Sequence, residues 1–395
     1  MKFLAVHLAA LVVFLTGTAV SAQSFDTRAT AAYVFDQSTN TVLLAENENT
    51  PLPPASMSKL MTVYMTFEAI ADGRLAIDQV LPVSTHAASY GGSSMFLDTT
   101  DRVSVEDLLR GVIIVSGNDA STVLAEALSP DGTEAGFARM MTQRAQQMGM
   151  MNSTFANANG WPAAGHRMSM KDLGILADHL IRDFPTFYPL FSEEEFPFDG
   201  RVPSNSRNRN PLLSLGIGAD GLKTGHTQEA GYGLVGSAKQ GDRRVIFVIT
   251  GLDSQAQRAE EAERLVNWAF LQFAEKEVAR SGTSIARADV WMGDAPTIGL
   301  TVAEDLNLLV PVLNQGSVDA EVIYSGPIEA PISAGQKLGE LVINFEGLPE
   351  KRVDLVADAE VNRGGFATRV RTAALVLWQK YGPQADAEDA PAEEA

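Results

Sequence analysis

Pro51-Leu52-Pro53-Pro54-Ala55-Ser56-Met57-Ser58-Lys59-Leu60-Met61-Thr62 first breaks the chain and then starts a helix. Proline fixes φ and removes backbone donors, so no regular element runs through the first four residues. Ser56 then stands where an N-cap would, ahead of an apolar run through Leu60, Met61, Tyr64, Met65 and Phe67 that marks a largely buried helix. Residues three apart share a helix face, so Lys59 can reach the Ser56 hydroxyl. A lysine half-buried among Met57, Leu60 and Met61 loses affinity for its proton and can act as a base, while the positive helix N-terminus favours negative charge developing at Ser56. The same residues also fit an ordinary cap, with Ser56 satisfying a helix N–H and Lys59 solvated in the first turn. The stretch alone leaves both readings open.

Outward from it, Ala31 to Phe35 and Thr41 to Leu44 read as a hairpin around Asp36-Gln37-Ser38-Thr39-Asn40. Apolar residues at helical spacing predict helices over Val105–Val115, Ala120–Leu128, Thr133–Met148 and Met170–Ile181. Tyr232–Ala238 and Arg244–Gly251 read as sheet strands, and Ala259–Phe273 as an amphipathic helix. From Ser284 the texture changes to short alternating segments at Ala288–Trp291, Leu308–Val312, Ala320–Tyr324, Lys337–Ile343 and Lys351–Val356, the pattern of a small all-β domain.

Length and composition agree with that division. A chain of 395 residues is too long for one ordinary core, and 45% apolar with 20% charged residues describes a globular protein. The formal charge of −19, from 30 basic and 49 acidic residues, speaks against a nucleic-acid groove. Cysteine is absent, which excludes disulfides and thiolate metal sites and suits an oxidising compartment. Lys2, the apolar run Phe3–Phe14 and the small residues Val20-Ser21-Ala22 predict a secretory signal over 1–22, cleaved after Ala22. The run is shorter than the about 20 residues of a comfortable bilayer span.

Two further strings carry chemistry. Ser116-Gly117-Asn118 lies between two predicted helices, where glycine permits a tight bend that projects both polar side chains; an ordinary interhelical turn capped by Asn118 or Asp119 fits equally. Lys223-Thr224-Gly225 lies in Asp220-Gly221-Leu222-Lys223-Thr224-Gly225-His226, where the glycines allow another backbone to come close, as a strand pairing with a peptide requires. An edge strand whose lysine merely discourages aggregation is the other reading.

Together, in this order, the three strings resemble the signature of the serine penicillin-recognising enzymes, and specifically the low-molecular-mass D-alanyl-D-alanine carboxypeptidases. The likeness runs from Ala31 to Tyr381. It is densest around Pro53–Thr62, Gly91-Gly92-Ser93-Ser94-Met95-Phe96-Leu97, Ser116-Gly117-Asn118-Asp119-Ala120 and Asp220–Gly231. The resemblance implies an α/β (α+β) transpeptidase-like domain over 23–283, a sheet flanked by helices plus a helical cluster, then a β-rich domain over 284–362. It implies Ser56 as the acylated nucleophile, Lys59 as its base and Ser116 as the hydroxyl relaying a proton to the leaving D-alanine. Asn118 would orient the substrate amide and hold Lys59, and Lys223 and Thr224 would meet the substrate carboxylate. Gly225 lets the substrate lie close, and the backbone N–H groups of Ser56 and His226 would form the oxyanion hole. Arg258 resembles a second carboxylate-binding cation, and Asp172 an acidic residue near the cleft. No cofactor is implied; peptidoglycan stem peptides and β-lactam antibiotics are.

Other readings are weaker. The five histidines His7, His86, His166, His179 and His226 never fall at zinc-peptidase spacing, so no metal site is expected. A β-lactamase usually needs a glutamate over a water, and no Glu with a following Asn stands in Met168–Phe191. A DD-endopeptidase would share all three motifs but usually lacks a β-rich C-terminal domain. A non-catalytic wall-binding protein would be expected to have lost Ser56, Lys59, Ser116 or Lys223. Over 363–382, Phe366, Val370, Ala373, Ala374, Leu377, Trp378 and Tyr381 fall within an arc of roughly 140°, an apolar face flanked by Arg369, Arg371 and Lys380. That segment predicts an amphipathic helix on the cytoplasmic-membrane surface or, alternatively, packed on the β domain. The acidic stretch 383–395, where the family often ends in an anchoring helix, is expected to be disordered. The expected location is periplasmic, on the outer face of the cytoplasmic membrane.

Overall fold

The computed structural model describes residues 25–312, 319–344 and 350–366, with Val370 and Ala374. The signal expected over 1–22, the acidic tail over 383–395 and most of the helix expected over 363–382 lie outside those residues. Strands β1 (Ala31–Asp36) and β2 (Thr41–Glu46) form the hairpin, and helix α1 (Lys59–Ala71) follows a 3₁₀ turn at Ala55–Ser58. Next come β3 (Val80–Pro82), α2 (Thr85–Ala88), β4 (Arg102–Ser104), α3 (Val105–Ile113), α4 (Asn118–Leu128), α5 (Glu134–Gln147) and α6 (Met170–Asp183). Strands β5 (Ala219–Thr227), β6 (Gly231–Gln240) and β7 (Arg243–Leu252) and helix α7 (Gln255–Leu271) complete the first unit.

Its five-stranded antiparallel sheet has the order β2-β1-β7-β6-β5, which leaves β5 at the edge. Period-two alternation sorts the sheet's side chains. Ala31, Phe35, Leu222, Val235, Ile246 and Val248 join one core with α1, α3, α4, α5 and α6. Ala32, Val34, Leu234, Val245, Phe247 and Ile249 join the other, against Ala262, Leu265, Val266 and Ala269 of α7.

Helix starts separate structural from functional serines. Ser104, Thr133, Ser169 and Ser254 cap α3, α5, α6 and α7 through their side chains, each the kind of contact whose loss costs about 1 kcal/mol. Helices α1 and α4, preceded by Ser58 and Gly117, have no side-chain cap. Their first turns meet through Lys59 and Asn118.

The β-rich unit contains β8 (Phe273–Ala279), β9 (Ala286–Trp291), β10 (Thr297–Val302), β11 (Leu306–Pro311), β12 (Asp319–Tyr324), β13 (Ile328–Glu329), β14 (Lys337–Asn344) and β15 (Lys351–Ala357). A six-stranded sheet of order β12-β14-β15-β10-β9-β13 lies beside the pair β11-β8. Since β8 pairs with β11 from Phe273 onward, β structure begins ahead of Ser284, where the sequence texture changes. Helix α7 accordingly ends at Leu271 instead of Phe273.

Candidate active site

The turn Ala55–Ser58 starts from Ala55 at φ 48°, a left-handed conformation that lifts Ser56 out of the line of α1. Its neighbours are as tight as its backbone. A Cβ on Gly160 would meet the Ala55 carbonyl oxygen at 2.0 Å, and one on Gly225 would meet the Pro54 carbonyl at 3.0 Å and Met57 Cγ at 3.0 Å. The close backbone that Gly225 admits is thus in part the chain's own, and it seats edge strand β5 against the turn that carries Ser56.

Lys59 is 0% exposed, which rules out the solvated first-turn reading. Its Nζ stands 2.9 Å from Ser56 Oγ and donates to Asn118 Oδ1 at 2.7 Å and to the Asn159 carbonyl. Burial first, then the Arg209 guanidinium, pull Lys59 down from 10.5 to about 7, against the opposing pull of Asp119 and Glu134.

Ser116 has φ 63°, strained for a non-glycine residue, and is 1% exposed. Lys223, 2% exposed, donates to Ser116 Oγ at 2.9 Å and to the Thr224 carbonyl at 3.2 Å. It is on the edge strand but inside the protein. Burial, then Lys59, Arg209 and Arg258, hold it well below the usual lysine range. Asn118 is no helix cap: its Nδ2 donates to the Gly91 carbonyl at 2.8 Å. Asp119 accepts from the Met95 and Leu97 N–H groups at 2.9 and 3.0 Å and from Ser94 Oγ at 2.6 Å, which docks the Gly91–Leu97 block onto the start of α4.

Arg258, in the first turn of α7, is 4% exposed and its Nε lacks a hydrogen-bond partner. Its guanidinium lies 5.8 Å from the centroid of Tyr232, which stacks on His226 at 3.9 Å. Burial pulls Arg258 down to about 10. Among the described residues neither Arg209 nor Arg258 has a carboxylate partner, although the chain is strongly acidic. Thr224, also buried, lies between Lys223 and Gly225 on the same strand. The outcome is a group of basic side chains, Arg209, Arg258 and Lys223, with no carboxylate partner among the described residues.

Sequence reasoning missed Asn159 and Arg209. Asn159 contributes a main-chain carbonyl, for which residue type is no guide; the only local signal is the following Gly160 at φ 78°. Arg209 donates to Ser93 Oγ, and nothing in Asn208-Arg209-Asn210 shows that it lacks an acidic partner. Asp172 has a structural explanation: it accepts from Asn152 N–H at 2.8 Å and Ser153 Oγ at 2.7 Å, while its own N–H meets the Ser169 cap.

Two serine–lysine pairs facing one another across the edge of an antiparallel sheet define the penicillin-recognising class of serine acyl-transfer enzymes. Residues 17–254 match the family described as D-alanyl-D-alanine carboxypeptidase, and residues 273–363 match the penicillin-binding protein 5 C-terminal domain. The carboxypeptidase DacF of Bacillus subtilis is 32% identical over 360 residues, 89% of this chain and 90% of that protein. Penicillin-binding protein 5 from Haemophilus influenzae superposes with a TM-score of 0.73 at 32% identity, covering 86% of this chain and 99% of that one. Penicillin-binding protein D2 from Listeria monocytogenes, solved with ampicillin bound, gives 0.56 at 31% identity over 61% of this chain and 97% of that one. The chain belongs to the D-alanyl-D-alanine carboxypeptidase family of low-molecular-mass penicillin-binding proteins, and its activity is that of a serine-type D-Ala-D-Ala carboxypeptidase.

Proposed function

We propose that this enzyme removes the terminal D-alanine of peptidoglycan stem pentapeptides through an acyl-enzyme on Ser56, with Lys59 as the base. The observation that carries the assignment is the environment of Lys59 Nζ. A neutral amine has two N–H groups and one lone pair. Asn118 Oδ1 and the Asn159 carbonyl take the two N–H groups, so the lone pair faces Ser56 Oγ 2.9 Å away.

Ser56 Oγ attacks the penultimate carbonyl carbon as its proton passes to Lys59 Nζ. The Ser56 and His226 N–H groups hold the oxyanion. As the C–N bond breaks, Ser116 passes its hydroxyl proton to the leaving amine and regains one from protonated Lys59, which returns that base to its neutral form. Water then attacks the ester and gives up a proton to Lys59, which passes it to Ser56 Oγ as the ester C–O bond breaks, releasing the shortened peptide and restoring both groups. The substrate's C-terminal carboxylate is received by Lys223, Thr224 and Arg258, the last of which has no carboxylate partner among the described residues. Penicillin, which also presents a carboxylate beside a reactive amide, acylates Ser56 by the same first step.

The apolar run after Lys2 supports export to the periplasm, and the amphipathic stretch over 363–382 supports reversible attachment to the outer face of the cytoplasmic membrane. No helix among the described residues is long and apolar enough to cross a membrane.

Carboxylate recognition is tested by comparing D-alanine release from a peptide ending in D-Ala-D-Ala with release of D-alaninamide from its C-terminal amide. Arg258→Ala should lower kcat/KM on the acid by roughly 10- to 100-fold, the scale of a lost charge-assisted contact. It should change the already slow reaction of the amide little. Equal rates on acid and amide in the unsubstituted enzyme would overturn the assignment.

A further inference from the structure

Glu134, at the start of α5, is 6% exposed and touches neither Ser56 nor the cleft's cations through any hydrogen bond. Its carboxylate nevertheless gathers partners from three segments. Oε1 accepts from the Ala158 N–H at 3.0 Å, Asn159 Nδ2 at 3.2 Å and, at the long limit of 3.4 Å, Thr122 Oγ1. Oε2 accepts from Tyr90 OH at 2.7 Å and pairs with His86 Nε2 at 2.8 Å.

The Oε1 side leads to the base. Asn159, gripped through its side chain, offers its main-chain carbonyl to Lys59 Nζ. The preceding carbonyl, that of Ala158, accepts from Thr62 Oγ1 on α1 at 2.6 Å. Thr122 Oγ1 lies 3.0 Å from the carbonyl of Asn118, whose side chain is the second acceptor for Lys59. One carboxylate therefore fixes the segment that supplies one of the two Lys59 acceptors and borders the residue that supplies the other.

We propose that Glu134 is a positioning residue for catalysis, holding the Asn159 carbonyl, and through it Lys59, in the geometry that aims the lone pair of the base at Ser56. This deepens the reading of Lys59 as base and rests on it. Misplacement of a reacting group by about 1 Å costs on the order of 10²-fold in rate. The same carboxylate also favours the charged form of Lys59. The groups facing Lys59 are Arg209, Asp119, Glu134, Lys223 and His166, and those facing Glu134 are His86, Tyr90 and Glu126.

The test measures acylation by a fluorescent penicillin between pH 5 and 10 in the full chain and in Glu134→Gln, Asn159→Ala, Tyr90→Phe and Lys59→Arg, with thermal melting of each. Glu134→Gln should acylate roughly 10- to 100-fold more slowly on its alkaline plateau, and its rise with pH should begin at lower pH, because an anion that favours protonated Lys59 is gone. Asn159→Ala keeps the main-chain carbonyl and the charge of Glu134 while losing the grip; it should lose rate with the rise nearly unmoved, and it serves alone if Glu134→Gln does not fold. Tyr90→Phe removes a bond to the same carboxylate on the side away from Lys59 and should keep its rate within about twofold. Full rates with unmoved profiles in Glu134→Gln and Asn159→Ala would overturn the proposal, as would an equal loss in Tyr90→Phe, which would mark Glu134 as a general support of the fold. Lys59→Arg separates the two levels: if it acylates normally the base assignment itself fails, whereas if it is inactive while the other variants are unimpaired only the role of Glu134 fails.

Discussion

Replacing Asn118 by aspartate changes one group next to the base and little of the shape. Asn118 Oδ1 lies 2.7 Å from Lys59 Nζ, so the substitution turns a neutral acceptor into an anion at hydrogen-bond distance. An opposite charge that close displaces a titration by roughly one to three pH units. Lys59 titrates at about 7 in the native site, so its lone pair is free in about half the molecules at pH 7; with an ordinary lysine value that fraction would be on the order of 10⁻⁴ to 10⁻³. In Asn118→Asp the rise of acylation rate should move from near pH 7 to between roughly pH 8 and 10, with a loss of roughly 5- to 500-fold at pH 7. The sign is fixed by the chemistry: the neutral amine is the base, so raising its affinity for protons delays activity to higher pH. The lost donor to the Gly91 carbonyl lowers the plateau as well, so the position of the rise is the quantity to read. Stopped-flow acylation with a fluorescent penicillin from pH 5 to 10 measures it. A lowered plateau with the rise still near pH 7 would refute the reasoning, because Asn118 would then act on substrate alone.

Two other outcomes are expected. Gly160→Ala places a Cβ 2.0 Å from the Ala55 carbonyl at a φ of 78°, so the turn carrying Ser56 must shift; acylation should fall by roughly 10²-fold, and a native rate would show that the turn yields freely. In liposome flotation, mature protein should float with anionic vesicles in a salt-sensitive way while a truncation ending at Asn362 should not. Equal flotation would remove the membrane-surface helix from the account, and acylation should survive the truncation in either case.

Elements with a clear period were legible without coordinates. The hairpin strand at Ala31–Phe35, the helical spacing around Leu108, Leu109 and Val112, and the helices α5 and α6 all reflect local rules that the packed structure keeps. Strand β8 was not legible, because Phe-Ala-Glu-Lys-Glu-Val-Ala continues the charged pattern of α7 and becomes a strand only by pairing with β11, more than twenty residues on. At the site, Ser56, Lys59, Ser116, Asn118 and Lys223 were singled out through the resemblance that their three strings carry together, each string alone leaving a structural reading open, and the structure brings them into two bonded groups. Whether Ser56 capped a helix or faced a buried amine was open in the sequence, since both readings use the same residues; burial of Lys59 decides it. The Asn159 carbonyl and the lack, among the described residues, of a carboxylate partner for Arg209 depend on long-range placement and leave no mark in residue type.

The central claim is that Ser56 is the group acylated. Intact-mass measurement after incubation with penicillin tests it most directly, with D-alanine release from a D-Ala-D-Ala peptide followed on the same samples. The unsubstituted protein should gain the mass of one penicillin and release D-alanine, and Ser56→Ala, folded to the same melting temperature, should do neither. A penicillin adduct on the Ser56→Ala protein would contradict the account.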